Sequence, residues 1–197
     1  MNTCIIVIPI YKSILKLSEE ASFRQCLKVL TNHVIVLVTH KDIDLSVYKT
    51  ISRETNKTFQ IEFFHKKYFL SVEGYNMLCF SSLFYDRFSH YEYMLIYQLD
   101  AWVFRDELEY WCETGYDYIG APFFKISSFD GNPIEFSQEI VGVGNGGFSL
   151  RRIHYCKTML ERNRWIPYLK PNYLWKMHLN KPSKFKNNRS EERRVGK

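Results

Sequence analysis

No apolar run in this 197-residue chain is long enough to span a membrane, and its first residues lack the charged segment and apolar stretch of a secretion signal. Those absences lead to the expectation of a cytoplasmic protein that meets the inner face of a membrane only peripherally. Cysteine is used sparingly: Cys4, Cys26, Cys79, Cys112 and Cys156 are odd in number and widely spaced. Neither a disulfide framework nor a zinc site has that spacing, so buried free thiols in a reducing compartment are expected. No internal repeat is present, and the length suits one domain with a substantial core better than two.

The body of the chain also lacks net charge. Residues 176–197 hold eight Lys or Arg against Glu191 and Glu192, which accounts for the whole formal charge of +6. A neutral body excludes the basic face that nucleic-acid binding needs, so no nucleic-acid partner is expected. From Lys181 onward apolar periodicity is lost, and Asn188-Arg-Ser-Glu-Glu-Arg-Arg-Val-Gly-Lys197 resembles a translated sequencing-adapter read. The expectation is a domain over residues 1–180 followed by a basic, disordered tail over 181–197 that is not native at its end and truncates the protein; a natural basic tail is the alternative.

Aromatic residues are abundant instead, with 14 Tyr and 15 Phe, which suits a packed core and a cleft that stacks sugars and bases. The first half alternates strand and helix patterns. Residues 4–10, 33–39 and 59–64 read as strands, 17–30 and 72–84 as helices, and 93–99 as a central strand. Asp106-Glu-Leu-Glu109 offers a helix start and Gly115 its stop. Gly120-Ala-Pro122 reads as a turn, residues 127–133 as an exposed loop, and 153 to about 163 as a helix. This is an α/β pattern with a mostly parallel sheet flanked by helices.

Within it, Tyr93-Met-Leu-Ile-Tyr-Gln-Leu-Asp-Ala-Trp-Val-Phe104 is an apolar strand that runs into one carboxylate, Asp100. In open parallel sheets the ligand crevice lies beyond the carboxyl ends of the strands, so Asp100 is a candidate ligand for a metal or a sugar nucleotide, with Gln98 two residues earlier on the same face. A strand-ending Asp that caps the next turn is the other reading. Gly142-Val-Gly-Asn-Gly-Gly147 is not read as a dinucleotide loop, because strand-like residues follow it and the first βαβ unit has no glycines.

Taken together, Tyr91 to Phe104, Gly115-Tyr-Asp-Tyr-Ile-Gly-Ala-Pro122 and Val143-Gly-Asn-Gly-Gly-Phe-Ser-Leu-Arg151 resemble a bacterial family of uncharacterised glycosyltransferase-like proteins over residues 5–179. The resemblance implies a GT-A-type nucleotide-diphospho-sugar transferase fold and a role in surface-polysaccharide synthesis. It implies a nucleotide-diphosphate sugar as donor and a cell-surface glycan as acceptor. An Asp-x-Asp element in such enzymes binds Mn²⁺ or Mg²⁺; here Gln98-Leu-Asp100 keeps only the second acid, so Asp100 either binds metal with help from the phosphates or binds the donor directly.

By the same resemblance, Asp100 is the catalytic and metal-binding residue. Pro9, Tyr11, Thr39, Gln98, Asp100, Asn145, Gly146 and Gly147 would line the donor site, with Tyr11 packing on the base and Asn145-Gly-Gly147 forming a loop against the sugar. Gly74-Tyr-Asn76 opens a helix whose N–H groups meet phosphate or cap themselves. Arg151 and Arg152 could neutralise a diphosphate, but, one on each side of a strand-to-helix junction, they are expected to stay solvated. The acidic pair that would supply a general base is not found in recognisable sequence. The reading is therefore a glycosyltransferase, with a non-catalytic glycan- or nucleotide-binding module, or an inactive fragment, as alternative.

Overall fold

The computed structural model describes residues 3–126 and 136–162. The loop expected at 127–133, the end of the last helix near 163 and the basic tail lie outside the described residues. The described residues belong to one compact unit.

Strand β1 (Cys4–Pro9) is buried along its whole length, because it is the inner strand between β2 (Val34–Thr39) and β4 (Tyr93–Tyr97). Its side chains alternate: Cys4, Ile6 and Ile8 enter one core, Ile5 and Val7 the other. A strand covered on both faces must be apolar at every position, which is why it reads as an unbroken run. Each such Ile contributes about 1.5–3 kcal/mol by leaving water.

Among the described residues six strands run in the order β3-β2-β1-β4-β6-β5, where β3 is Gln60–Phe63, β6 is Phe136–Arg152 and β5 is Tyr118–Ile126. Strands β3, β2, β1 and β4 are mutually parallel; β6 is antiparallel to both β4 and β5. The sheet is thus mixed. Helices α1 (Leu17–Val29), α2 (Ser46–Thr55) and α5 (Leu108–Glu113) put Phe23, Leu27, Tyr48, Ile51 and Leu108 into the first core. Helices α3 (Val72–Cys79), α4 (Ser82–Asp86) and α6 (Ile153–Arg162) put Leu78, Phe84, Tyr85 and Ile153 into the second.

Three local expectations are corrected, and one helix is added. The single helix over 72–84 is two, because Ser81 takes an extended conformation (φ −112°, ψ 133°) and α4 restarts after it. Serine favours such breaks, and the restart points Phe84 and Tyr85 at the sheet. Gly120-Ala-Pro122 is no turn but part of β5, where register shifts on either side of Ala121 accommodate the proline. The glycines from Gly142 to Gly147 are strand, not loop. Helix α2 was not anticipated, although Asp44 announces it by accepting the Ser46 N–H at 2.8 Å.

The expected stop at Gly115 is present: this residue holds φ +74°, just past the end of α5. Among the described residues no helix is long and apolar enough to cross a membrane.

Candidate functional site

Strands β2 and β3 lie on one side of β1 and β4 on the other, so the chain reverses its direction of travel across the sheet between β1 and β4. At such a switch point the connections leave in opposite directions and open a crevice beyond the carboxyl ends of the strands. Val7 pairs with Ile96, the last pair of the β1–β4 ladder, and Pro9 and Gln98 follow it at the ends of their strands.

The β1 side of the crevice is held from below. The Ile10 N–H donates to the Val38 carbonyl at 2.8 Å, and the fully buried Thr39 hydroxyl donates to the Ile10 carbonyl, also at 2.8 Å. Thr39 therefore fixes where the chain leaves β1, with its own proton already placed. Beyond it the Tyr48 hydroxyl donates to the Lys12 carbonyl at 3.0 Å, and the Lys12 ammonium meets Glu19 at 2.5 Å. Glu19 also accepts the Lys16 N–H at 2.8 Å, closing the start of α1. Burial pushes its carboxyl up, but the Lys12 ammonium and the Lys16 N–H outweigh that and hold it below its usual value. On this braced loop the Tyr11 ring stands 58% exposed, with the Lys12 ammonium 5.6 Å from its centroid.

The β4 side ends in a turn. The Ala101 N–H donates back to the Gln98 carbonyl at 3.0 Å, and the Ala101 carbonyl accepts the Ser22 hydroxyl of α1 at 2.6 Å. Asp100 sits exposed in this turn, and Gln98 is half-buried. Beneath them Tyr97 shares a 2.9 Å hydrogen bond with Ser22, and burial pushes its phenol up to about 12.

Strand β6 delivers the glycines to the same place. The Gln98 N–H donates to the Gly147 carbonyl at 2.8 Å, and Tyr97 pairs with Phe148. Gly146 and its carbonyl face the Arg151 guanidinium: a Cβ added to Gly146 would stand 3.1 Å from Arg151 Nη2. Asn145 lies in β6 opposite Ala121. The structure thus brings Pro9, Gln98 and Gly147 to one sheet edge, with Tyr11 and Asp100 on the loops that leave it.

Arg151 corrects the expectation that it stays solvated. It is 8% exposed, and it donates to Ser149 Oγ and to the Tyr85 hydroxyl at 3.0 Å each. Its guanidinium stacks 5.7 Å from the centroid of Tyr118, and among the described residues no carboxylate pairs with it. Burial pushes the Tyr85 phenol up, so it remains the neutral acceptor this contact needs. Beside Arg151, the hydroxyl of Tyr75 is buried; among the described residues none meets hydrogen-bond geometry with it, and Cys79 and Gln98 are its polar neighbours. Sequence reasoning named Arg151 but not its burial, because Tyr85 and Tyr118, which cover it, lie far away in the chain; the polar Ser149 flanking it within an apolar stretch was the available signal. Arg152, by contrast, is half-exposed and paired with Glu92 at 3.1 Å and Asp117 at 3.4 Å. At Gly74 the N–H is taken by the Ser71 hydroxyl at 3.1 Å, so α3 caps itself.

Residues 58–193 match the model of the family described as protein of unknown function (DUF5672), about two thirds of the chain, and the chain belongs to that family. The matched span holds Gln98, Asp100 and the β6 glycines, and leaves Pro9, Tyr11 and Thr39 outside it. No curated protein matches the chain.

Proposed function

We propose that this protein binds a nucleotide-diphosphate sugar in the β1/β4 crevice and transfers the sugar to a cell-surface glycan acceptor, within a GT-A-type fold on the cytoplasmic side of a membrane that it touches peripherally. The observation that carries this reading is the junction at the switch point. There the Gln98 N–H bond to Gly147 sets a glycine strand beside the Asp100 turn, one strand away from the exposed Tyr11.

Each part has a role in that reaction. Tyr11 offers a ring to the base, and the loop beneath it is already braced, so little ordering is left for binding to impose. The Gly146 and Gly147 backbone lets a sugar approach without side-chain obstruction. Asp100 contacts the donor. The buried Arg151 charge lies below the glycines and, unopposed by a carboxylate among the described residues, favours an anionic ligand above it.

A divalent cation is a further expectation. Among the described residues no group of three or more His, Cys, Asp or Glu is placed to cage one. The exposed Asp100 carboxylate would instead hold Mn²⁺ or Mg²⁺ together with the bound donor, and such an ion would supply positive charge against the leaving diphosphate.

The test is a thermal-shift panel of the full chain against UDP, GDP, CMP and dTDP, with and without Mn²⁺, repeated on Asp100→Ala. A ligand that binds only the folded state raises its stability, so one nucleotide is expected to shift the melting temperature in the wild type and not in the variant. If no nucleotide shifts a chain shown to be folded, the reading is wrong. A shift without sugar turnover supports the non-catalytic binding module instead.

A further inference from the structure

Four of the five most exposed large apolar side chains among the described residues, Leu17 (89%), Ile14 (79%), Val72 (71%) and Leu70 (68%), follow the carboxyl ends of two parallel strands. Ile14 and Leu17 lie between β1 and the first turn of α1; Leu70 and Val72 lie between β3 and the first turn of α3. Strands β1 and β3 both run parallel to β2, which separates them, so the two loops leave the sheet at one edge, about 10 Å apart along it. It is the edge on which the crevice opens. Helix α1 covers the first core and α3 the second, so the two apolar tips straddle this edge.

Both loops are fixed from within, which keeps their apolar tips in solvent. Thr39 and Tyr48 brace the first. In the second, His65 Nδ1 accepts the Lys67 N–H at 3.2 Å and Ser71 Oγ accepts the Gly74 N–H at 3.1 Å. A Cβ on Gly74 would collide with the Lys67 carbonyl oxygen, so α3 is pressed against this loop. Apolar side chains gathered and held outward mark a surface that is covered in use, and the charge around them decides by what. Residues 10–17 and 64–72 contain Lys12, Lys16, Lys66 and Lys67 and no Asp or Glu. Lys12 pairs with Glu19 and Lys66 with Asp42, while among the described residues Lys16 and Lys67 have no carboxylate partner. The other carboxylates near this edge, Asp44, Glu73 and Asp100, lie outside both loops. Exposed apolar tips flanked by lysines suit a bilayer with anionic headgroups, which takes up the first and attracts the second. Phe104 is the contrast: it is 83% exposed, but residues 100–117 around it hold six carboxylates against Arg105, which such a surface repels.

We propose that these two loops dock the protein on an anionic bilayer, with Ile14, Leu17, Leu70 and Val72 entering the interface and Lys16 and Lys67 meeting the headgroups. The crevice opens on the same edge, so docking sets its mouth at the lipid surface. This deepens the peripheral membrane contact of the proposed function and rests on that part of it alone. Vesicle binding is read without nucleotide and the nucleotide shift without lipid, so either can fail while the other holds.

The full chain is sedimented with vesicles of equal parts phosphatidylcholine and phosphatidylglycerol, and with vesicles of phosphatidylcholine alone. The wild type is expected to bind the mixed vesicles. Ile14→Ser combined with Leu17→Ser is expected to lower the partition constant about tenfold or more, and Leu70→Ser combined with Val72→Ser to do likewise. Lys16→Gln combined with Lys67→Gln is expected to weaken binding to the mixed vesicles, whereas Phe104→Ser is expected to bind as the wild type does. Circular dichroism checks each fold, and the second apolar pair keeps the result readable if the first fails to fold. A wild type that stays in the supernatant overturns the proposal. So do apolar variants that bind unchanged, which would assign the contact to the basic residues 176–197, and an equal loss in Phe104→Ser. A dimer that the same apolar substitutions dissociate would assign the surface to a second copy of the chain and overturn it as well.

Discussion

Gly146 and Arg151 are in direct contact within strand β6, so close that a Cβ on Gly146 would reach to 3.1 Å from the guanidinium. The far end of an arginine normally yields to such an intrusion. Here it is pinned by Ser149 and Tyr85 and is buried, so it has nowhere to go. Gly146→Ala is expected to cost about 1–3 kcal/mol, read as a lower urea midpoint at unchanged slope. An unaltered midpoint shows that the guanidinium is free to move.

Arg151→Lys tests the same relationship from the other side. A single ammonium cannot reach Ser149, Tyr85 and Gly146 in the three directions that the planar guanidinium serves. Leaving one of these buried polar groups unpaired costs about 1–3 kcal/mol. Arg151→Lys is thus expected to destabilise nearly as much as Arg151→Met, and equal stability of Arg151→Lys and wild type counts against the arrangement.

Thr39→Val removes the hydroxyl that holds the Ile10 carbonyl while keeping the shape of the side chain. The expected loss is about 1–2 kcal/mol of stability, together with weaker nucleotide binding through the loop that carries Tyr11. Tyr11→Ala is expected to weaken binding with stability unchanged. Chemical denaturation and titration calorimetry on both variants separate the bracing role of Thr39 from contact by Tyr11.

Glu19 gives a pH dependence of known sign. Its folded-state value is held below the unfolded one, so its stabilising contribution is complete above the unfolded value and is lost as pH falls through the folded value. The stability gap between wild type and Glu19→Gln is expected to narrow as pH drops from about 6 to about 3. Asp42, Asp44 and Glu73 are also held low, but they are common to both proteins and cancel in the difference. A gap that stays constant across this range removes Glu19 from the account.

Strands β1, β2 and β4 and helix α1 were legible in the sequence because each position of a doubly covered strand must be apolar, and α1 keeps Phe23, Cys26 and Leu27 at helical spacing. The break at Ser81 was hidden, since apolar residues continue at helical spacing on both sides of it. Most of β5 and the glycine part of β6 were hidden for a different reason, while strand character showed only after Gly147: Pro122 and the glycines from Gly142 to Gly147 are turn and loop formers on local grounds. Their pairing with each other and with β4 overrides that preference. Asp100 was singled out because a lone carboxylate interrupts an apolar run. The burial of Arg151 depends on Tyr85 and Tyr118, contacts that no local pattern encodes.

The position of β1 between β2 and β4 also governs the order in which the sheet is assembled. Its pairing with β2 spans one helix, whereas its pairing with β4 must await a strand made much later in the chain. Closing the longer loop is the slower step, and until it happens β1 presents an unbroken row of free backbone groups on an apolar strand. A ribosome-bound intermediate that ends before Tyr93 therefore carries its most adhesive surface in its first strand, and the arrival of β4 both completes the sheet and ends that exposure.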